Sequence, residues 1–176
     1  MLRFVTILLF VMTLLLARAA FADDRSTLIA QACYLEATWN HRDCSAITYV
    51  LLRRAERTGR TVEQTTLAYS LNKKTPRAAY ARQLPAGLGP KGLKEWGALV
   101  AVVEGVLSGR IKDPCRGRPT HWGSPHKSLP DPERAAKAIL EGRWVEARCG
   151  AVANRFYIER KVPKTFSADV AAGENR

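Results

Sequence analysis

Beyond its N-terminus the sequence has no long apolar run, so no later segment is apolar enough to cross a bilayer. It shows no self-similarity at the roughly 20 to 50 residue periods of solenoids and propellers. No CxxC or HxxxH spacing occurs, and metal binding by the thiols with His121 or His126 therefore lacks its usual frame. No metal or other cofactor is expected. Acidic residues are scarce, with 16 Asp and Glu against 28 Lys and Arg in 176 residues. The 47% hydrophobic and 25% charged content excludes both a collagen-like chain and a disordered polyelectrolyte, and predicts a globule.

What is present begins with an export signal. Arg3 supplies a positive charge, Phe4 to Leu16 is almost free of polar atoms, and Ala20-Phe21-Ala22 is a small-x-small cleavage site. The apolar run falls short of the ~20 residues that span hydrocarbon, and Arg18 follows it, which disfavours a retained anchor. Residues 1–22 are read as a cleaved signal peptide, residues 23–162 as one domain and residues 163–176 as a disordered tail. No Cys follows the cleavage site to take a lipid. A secreted or periplasmic monomer, not inserted in a membrane after cleavage, is expected.

Export changes the reading of Cys33, Cys44, Cys115 and Cys149, because an even count in an oxidising compartment favours disulfides. Three pairings are possible. Cys33–Cys44 with Cys115–Cys149 is preferred, joining two adjacent helices and tying a late loop to the C-terminal segment; on the chain-entropy model the loops are worth roughly 3 and 4 kcal/mol.

Loss of Arg3 and Arg18 with the signal lowers the net charge from +12 to +10. Basic clusters at Arg53-Arg54 to Arg60, Lys73-Lys74-Thr75-Pro76-Arg77 and Arg110 to Arg118 point to an anionic partner. For an exported chain that partner is cell wall polymer or an anionic membrane surface rather than nucleic acid.

The pattern is mainly α. Helices are predicted from Ser26 or Thr27 to Trp39, from about Asp43 to Gly59, and from a Thr61/Gln64 capping box to about Ser70. Residues 71–90 read as a long surface excursion with one helical turn after Pro76. The stretch Gly92–Leu107 is the most apolar and is expected to be the central buried helix. An irregular segment, 113–126, precedes a helix from Asp131-Pro132 to Gly142. The last apolar stretch, through Phe156-Tyr157-Ile158, leaves room for a short β-hairpin. Trp39, Trp96 and Trp144 are assigned to the core.

Glu36 is the most informative residue. On a helical wheel it falls inside the arc formed by Leu28, Leu35, Trp39, Ala32, Ile29 and Cys33. A carboxylate in such an arc is desolvated and suited to general acid work; the other reading is a structural ion pair with an Arg. Pattern alone leaves both open.

Ala32-Cys33-Tyr34-Leu35-Glu36-Ala37, followed by Ala46-Ile47-x-x-Val50-Leu51-x-Arg53, resembles the opening of the SleB-type cell wall hydrolases. Val106-Leu107-x-Gly109-x-x-x-Asp113-Pro114, Thr120-His121-Trp122-Gly123, Gly142-Arg143-Trp144 and Ala153-Asn154-x-Phe156-Tyr157 are similar in order and spacing to that family's second half. The similarity spans about Ala30 to Ile158. Leu35 stands where the family commonly has Gly, and Thr38-Trp39-Asn40 where Arg-Gly-Glu is usual.

The resemblance implies a compact lysozyme-like helical domain with groove-lining loops, which cuts the MurNAc-GlcNAc β-1,4 bond of peptidoglycan strands with one glutamate, here Glu36. Thr120, His121, Trp122, Asn154 and Tyr157 would line the groove, with ring faces suited to sugars. Hydrolysis normally needs a second carboxylate, and Asp43, Glu63, Glu104 and Asp113 each read more easily as cap, helix-surface or turn residues. Lytic cleavage to a 1,6-anhydro product is therefore favoured. The competing class is a non-catalytic peptidoglycan-binding or lysozyme-inhibitor-like protein.

Overall fold

The computed structural model describes residues 25–123, 132–150 and 152–160. The expected signal peptide, His126, the expected Asp131 cap and the expected tail lie outside them. The chain divides into two compact units, one ending at Asp113 and one beginning at Pro114. Among the described residues the first is helical, and the second carries one helix and a small antiparallel sheet.

The first helix, α1, is already formed at residue 25 and runs to 37, so Ser26 and Thr27 lie inside it rather than capping it. It stops two residues short of Trp39 because Thr38 turns into the left-handed region at φ 56°, donating its N–H to Tyr34 O at 2.8 Å. Asn40 then caps α2 (His41–Thr58), its Oδ1 accepting from the N–H groups of Arg42 and Asp43 at 3.1 and 3.0 Å. The start at His41 rather than near Asp43 follows from that cap. Gly59, at φ 65°, closes the helix.

The central helix is α2, not the apolar Gly92–Leu107 stretch. Ile47, Val50 and Leu51 are fully buried, and so are Cys44 and Thr48, with Ala46, Ser45 and Asp43 nearly so. Small side chains let neighbouring elements approach closely. The hydroxyls turn back onto the helix itself, Thr48 Oγ1 donating to Cys44 O at 2.8 Å and Ser45 Oγ to Arg42 O at 2.8 Å. Burial of α2 is thereby hidden under a polar composition.

The helix containing that apolar stretch, α5 (Pro90–Leu107), packs on α2 and buries Trp96, Leu99, Val103 and Val106, while Leu93 is about half exposed and Ala101 and Glu104 face solvent. It is an amphipathic wall of the core.

Between them, α3 (Val62–Thr66) begins with the predicted capping box: Gln64 N donates to Thr61 Oγ1 at 3.2 Å and Thr61 N to Gln64 Oε1 at 3.1 Å. It continues as a π-helical turn, Leu67–Leu71. Thr75 caps α4 (Pro76–Ala81), which has Pro at its first position. The 71–90 stretch is not wholly on the surface. Leu71, Ala78, Ala81 and Leu84 are buried, and Gln31 of α1 donates to Arg82 O and Leu84 O at 3.2 and 2.8 Å. A buried amide satisfied by two loop carbonyls pins this stretch to the first helix.

The end of α5 is tied back to α2. Gly109, at φ 73°, reverses the chain, and Ile111 N donates to Gly105 O at 2.9 Å. The Tyr49 hydroxyl donates to Ile111 O at 2.8 Å, and Arg53 forms an ion pair with Asp113 while lying 5.5 Å from the Tyr49 ring centre. Both partners of the ion pair are largely buried.

In the second unit, Cys115–Cys149 closes one end, with Arg116 N donating to Arg148 O and Gly150 N to Pro114 O. The predicted irregular segment ends in a strand, β1 (His121–Gly123), which pairs with β3 (Arg155–Glu159). Strand β3 also pairs with β2 (Trp144–Glu146), so in place of a simple hairpin the last apolar stretch is the central strand of a three-stranded antiparallel sheet in the order β1-β3-β2. Helix α6 (Pro132–Leu140) precedes β2 and packs near it; Gly142, at φ 65°, turns the chain between them. Gly117 sits at φ 83°, and a Cβ there would press on the end of the Ile158 side chain. Glycine meets both demands without strain.

Two substitutions test these supports. Asp113→Ala removes the carboxylate that pairs with the buried Arg53 guanidinium and should lower the unfolding free energy by about 3 kcal/mol, measured by urea denaturation at pH 7; a loss near zero contradicts the buried ion pair. Gly117→Ala should cost about 1–2 kcal/mol, chiefly through the left-handed backbone, with Ile158 shifting to admit the methyl. Unchanged thermal stability would rule that backbone strain out.

Candidate functional site

Glu36 lies in the last turn of α1, one residue before the helix ends. Two features fix that turn. Cys33, one turn earlier, is fully buried and disulfide-bonded to Cys44 of α2 with Cα atoms 4.9 Å apart. Thr38, just beyond, holds a left-handed conformation that a β-branched residue adopts only under strain, and its Oγ1 accepts from Arg77 Nη2 at 3.1 Å. The favoured disulfide pairing is the one found, for both bridges.

The Glu36 side chain is mostly covered, with 17% of its area exposed. It does not sit in a purely apolar surround: Lys73 Nζ donates to Glu36 Oε1 at 2.6 Å. The ion-pair alternative is thus realised, with a Lys in place of the anticipated Arg. Lys73 belongs to the exposed segment 72–77 and is itself 40% exposed. Pattern reasoning on one helix could not find this partner, which lies 37 residues away.

The same end of α1 carries rings. Tyr34 lies 4.7 Å from Trp39 and 6.0 Å from Tyr80, centre to centre, both pairs tilted. Tyr34 and Trp39 are half-buried and Tyr80 is 43% exposed. Trp39 is therefore not a core residue. It falls in the turn after α1, where the chain has left the packed helix face.

The other acidic candidates have structural roles or surroundings. Asp113 binds Arg53, Asp43 is buried in the first turn of α2, and Glu104 is exposed on α5. Glu63 occupies the first turn of α3, 3.3 Å from Arg25 Nε. Burial pushes its carboxyl up, but its own backbone N–H, the Thr61 side chain and Arg25 outweigh this and hold it below the ordinary carboxylate value. A carboxyl so held is a helix-start anion, poorly suited to donating protons near neutrality.

The five expected sugar-contacting residues all belong to the second unit and divide within it. His121 stands directly opposite Tyr157 across the β1–β3 ladder. His121 packs on Trp144 at 4.2 Å, and Trp144 lies 6.1 Å from Tyr157. Thr120 joins this group, its Oγ1 3.0 Å from His121 Nδ1 and its N–H donating to Tyr157 O at 2.9 Å. Trp122 pairs with Phe156, and strand alternation sends these two to the opposite face, where Phe156 is buried. Asn154, 8% exposed, lines a shallow cleft of about 300 Å³ with Glu146, Val152 and Arg155.

The structure thus brings Thr120, His121 and Tyr157 together and turns Trp122 away from them. It adds Trp144, expected in the core but half-buried as an edge-strand ring. The signal for that addition is the two-residue strand period, which is unreadable in a three-residue strand bounded by turns.

Among the described residues no three His, Cys, Asp or Glu side chains cluster as metal ligands would, and no helix is long and apolar enough to cross a membrane. Compared with protein families, with curated proteins and with solved structures, the chain matches none.

Proposed function

We propose that the protein is an exported enzyme that cleaves the MurNAc-GlcNAc β-1,4 bond of peptidoglycan, a relative of the SleB-type hydrolases whose lysozyme-like helical body supplies Glu36 as general acid and base. The observation that carries this reading is the mounting of Glu36. A mostly covered carboxylate stands on the last turn of a helix stapled by a disulfide and closed by a strained residue, beside a lysine on an exposed segment. A buried disulfide also suits an oxidising compartment, and the basic charge suits an anionic wall polymer.

In the proposed reaction the Lys73 contact opens as a strand binds, and the Glu36 carboxyl, then protonated, donates its proton to the glycosidic oxygen. The C–O bond breaks and positive charge develops at the anomeric carbon and ring oxygen. The Glu36 carboxylate takes the proton of the muramic acid 6-hydroxyl, whose oxygen closes on the anomeric carbon. The products are a shortened strand and a 1,6-anhydro end, with the proton returned to Glu36. No second carboxylate and no water enter. Ring faces of the half-buried His121 and Trp144, with the Asn154 amide at the edge of its cleft, are assigned to saccharide contacts in the second unit, whereas Tyr157 and Thr120, only 7% and 8% exposed, back them from below. Trp122 is assigned to that unit's packing.

One observation favours a second reading. The Glu36–Lys73 contact, at 2.6 Å, is equally what a non-catalytic wall-binding protein would use as a structural ion pair.

Product analysis on purified sacculi separates the two. Wild type should release 1,6-anhydro muropeptides, and Glu36→Gln should reduce release at least about a hundredfold, the scale of losing a general acid. Lys73→Met should retain activity, because the lysine contacts the acid without reacting. Reducing-end products would replace the lytic mechanism by hydrolysis. Sedimentation with sacculi but no products from either wild type or Lys73→Met would establish the binding protein instead.

A further inference from the structure

From Gln64 to Lys94 the chain contains no acidic residue, while it carries Lys73, Lys74, Arg77, Arg82, Lys91 and Lys94. Lys73 is matched by Glu36. Arg77 is not matched by any described carboxylate, yet its guanidinium is held in place, Nη2 donating to Thr38 Oγ1 at 3.1 Å and to Tyr34 O at 3.5 Å. Holding a cation with neutral acceptors fixes its direction and leaves its charge uncancelled. Lys74, next in line, is exposed.

Beside this cation stand the three rings of Tyr34, Trp39 and Tyr80. Tyr80 lies one turn beyond Arg77 on α4, and Tyr34 supplies the carbonyl to which Arg77 donates. One seam of the first unit, where the end of α1 meets residues 73–80, therefore presents ring surface and an oriented guanidinium side by side. Rings with polar tips suit the apolar faces of sugars, and a guanidinium fork suits a carboxylate. A purely polyanionic ligand would need the charges but not the rings; a neutral sugar would need the rings but not the charges.

We propose that this seam is a binding site for a carboxylate-bearing glycan, in which Tyr80 and Tyr34 take a saccharide face and Arg77 takes the carboxylate of an attached peptide. The choice of glycan rests on the cell wall reading above. The site is separate in kind from Glu36, since it binds whether or not a bond is cut. Its occupation sets which strands are held: those with free stem carboxylates are preferred over stripped ones.

Titration calorimetry tests it with the mature protein carrying Glu36→Gln, so that the ligand survives. The probes are short peptidoglycan strands with their stem peptides, the same strands stripped of peptide, and a single-stranded oligonucleotide of equal charge. Arg77→Ala should weaken binding of peptide-bearing strands about tenfold, as expected for a hydrogen-bonded charge pair, and change stripped strands little. Tyr80→Ala should weaken both, and Arg77→Lys should recover part of the loss. Lys94→Ala, on α5, is the control and should bind as the parent.

Thermal melts matching the parent exclude misfolding, and the exposed positions of Arg77 and Tyr80 make such melts expected. Unchanged affinity in Arg77→Ala, equal losses for stripped and peptide-bearing strands, or an oligonucleotide bound as tightly through the same residues would overturn the proposal. Arg77-dependent binding without any product from wild type on sacculi would leave this site standing and remove the catalytic reading. Cleavage by wild type with Arg77-independent binding would do the reverse.

Discussion

The joint between α1 and α2 is the constraint on which the first unit depends. Three residues separate the helices, and in that space the chain must reverse without exposing α1's last carbonyls or α2's first N–H groups. Thr38 accepts a left-handed backbone to end one helix, Asn40 caps the next, and Cys33–Cys44 locks the two across the turn. Since Cys33 and Glu36 are three residues apart on one helix, the staple also fixes the direction of the carboxylate. Without it the last turn of α1 would be free to fray, as helix ends do. The staple's interior partner is α2, whose small buried side chains let α5 and α3 pack on it.

Electrostatics then divides the first unit into two kinds of cation. Arg53 is an interior group, matched by Asp113, and serves the packing of α2 with the end of α5. Arg77 and Lys74 are exterior groups on an acid-free stretch and have no such duty. Lys73 stands between them, exposed at its own end yet reaching a covered carboxylate. A residue list counts all of these as basic; only burial and partner separate the structural from the available charge.

Local signals were legible in the sequence wherever one or two residues decide the outcome. The Thr61/Gln64 capping box, the stop at Gly59, the Pro76 and Pro132 helix starts and both disulfide pairs were all readable on such grounds. What escaped depends on partners distant along the chain. The apolar α5 looked central because hydropathy does not register Ser45, Thr48 and Ala46 as buried, although their small size is what admits neighbours. Placing Trp122 with His121 ignored the pleat, which separates adjacent strand residues to opposite faces. Glu36 was correctly singled out as a covered acid on a helix face, but Lys73 arrives from a loop that no periodicity could align with it.

Whether that ion pair blocks acid chemistry is a question of magnitude. A pair with one partner this exposed contributes on the order of 1 kcal/mol or less, because water screens the ammonium and the long side chain loses freedom when held. Opening it therefore needs only a few-fold shift in population, a small cost beside that of separating a buried pair. The lysine is thus compatible with catalysis on energetic grounds, and its cost falls on the resting state alone. A deeply buried guanidinium partner, like Arg53 for Asp113, would have been different: separating that kind of pair leaves an uncompensated interior charge and costs several kcal/mol. Both kinds occur among the described residues, and the carboxylate proposed for catalysis has the kind that can open.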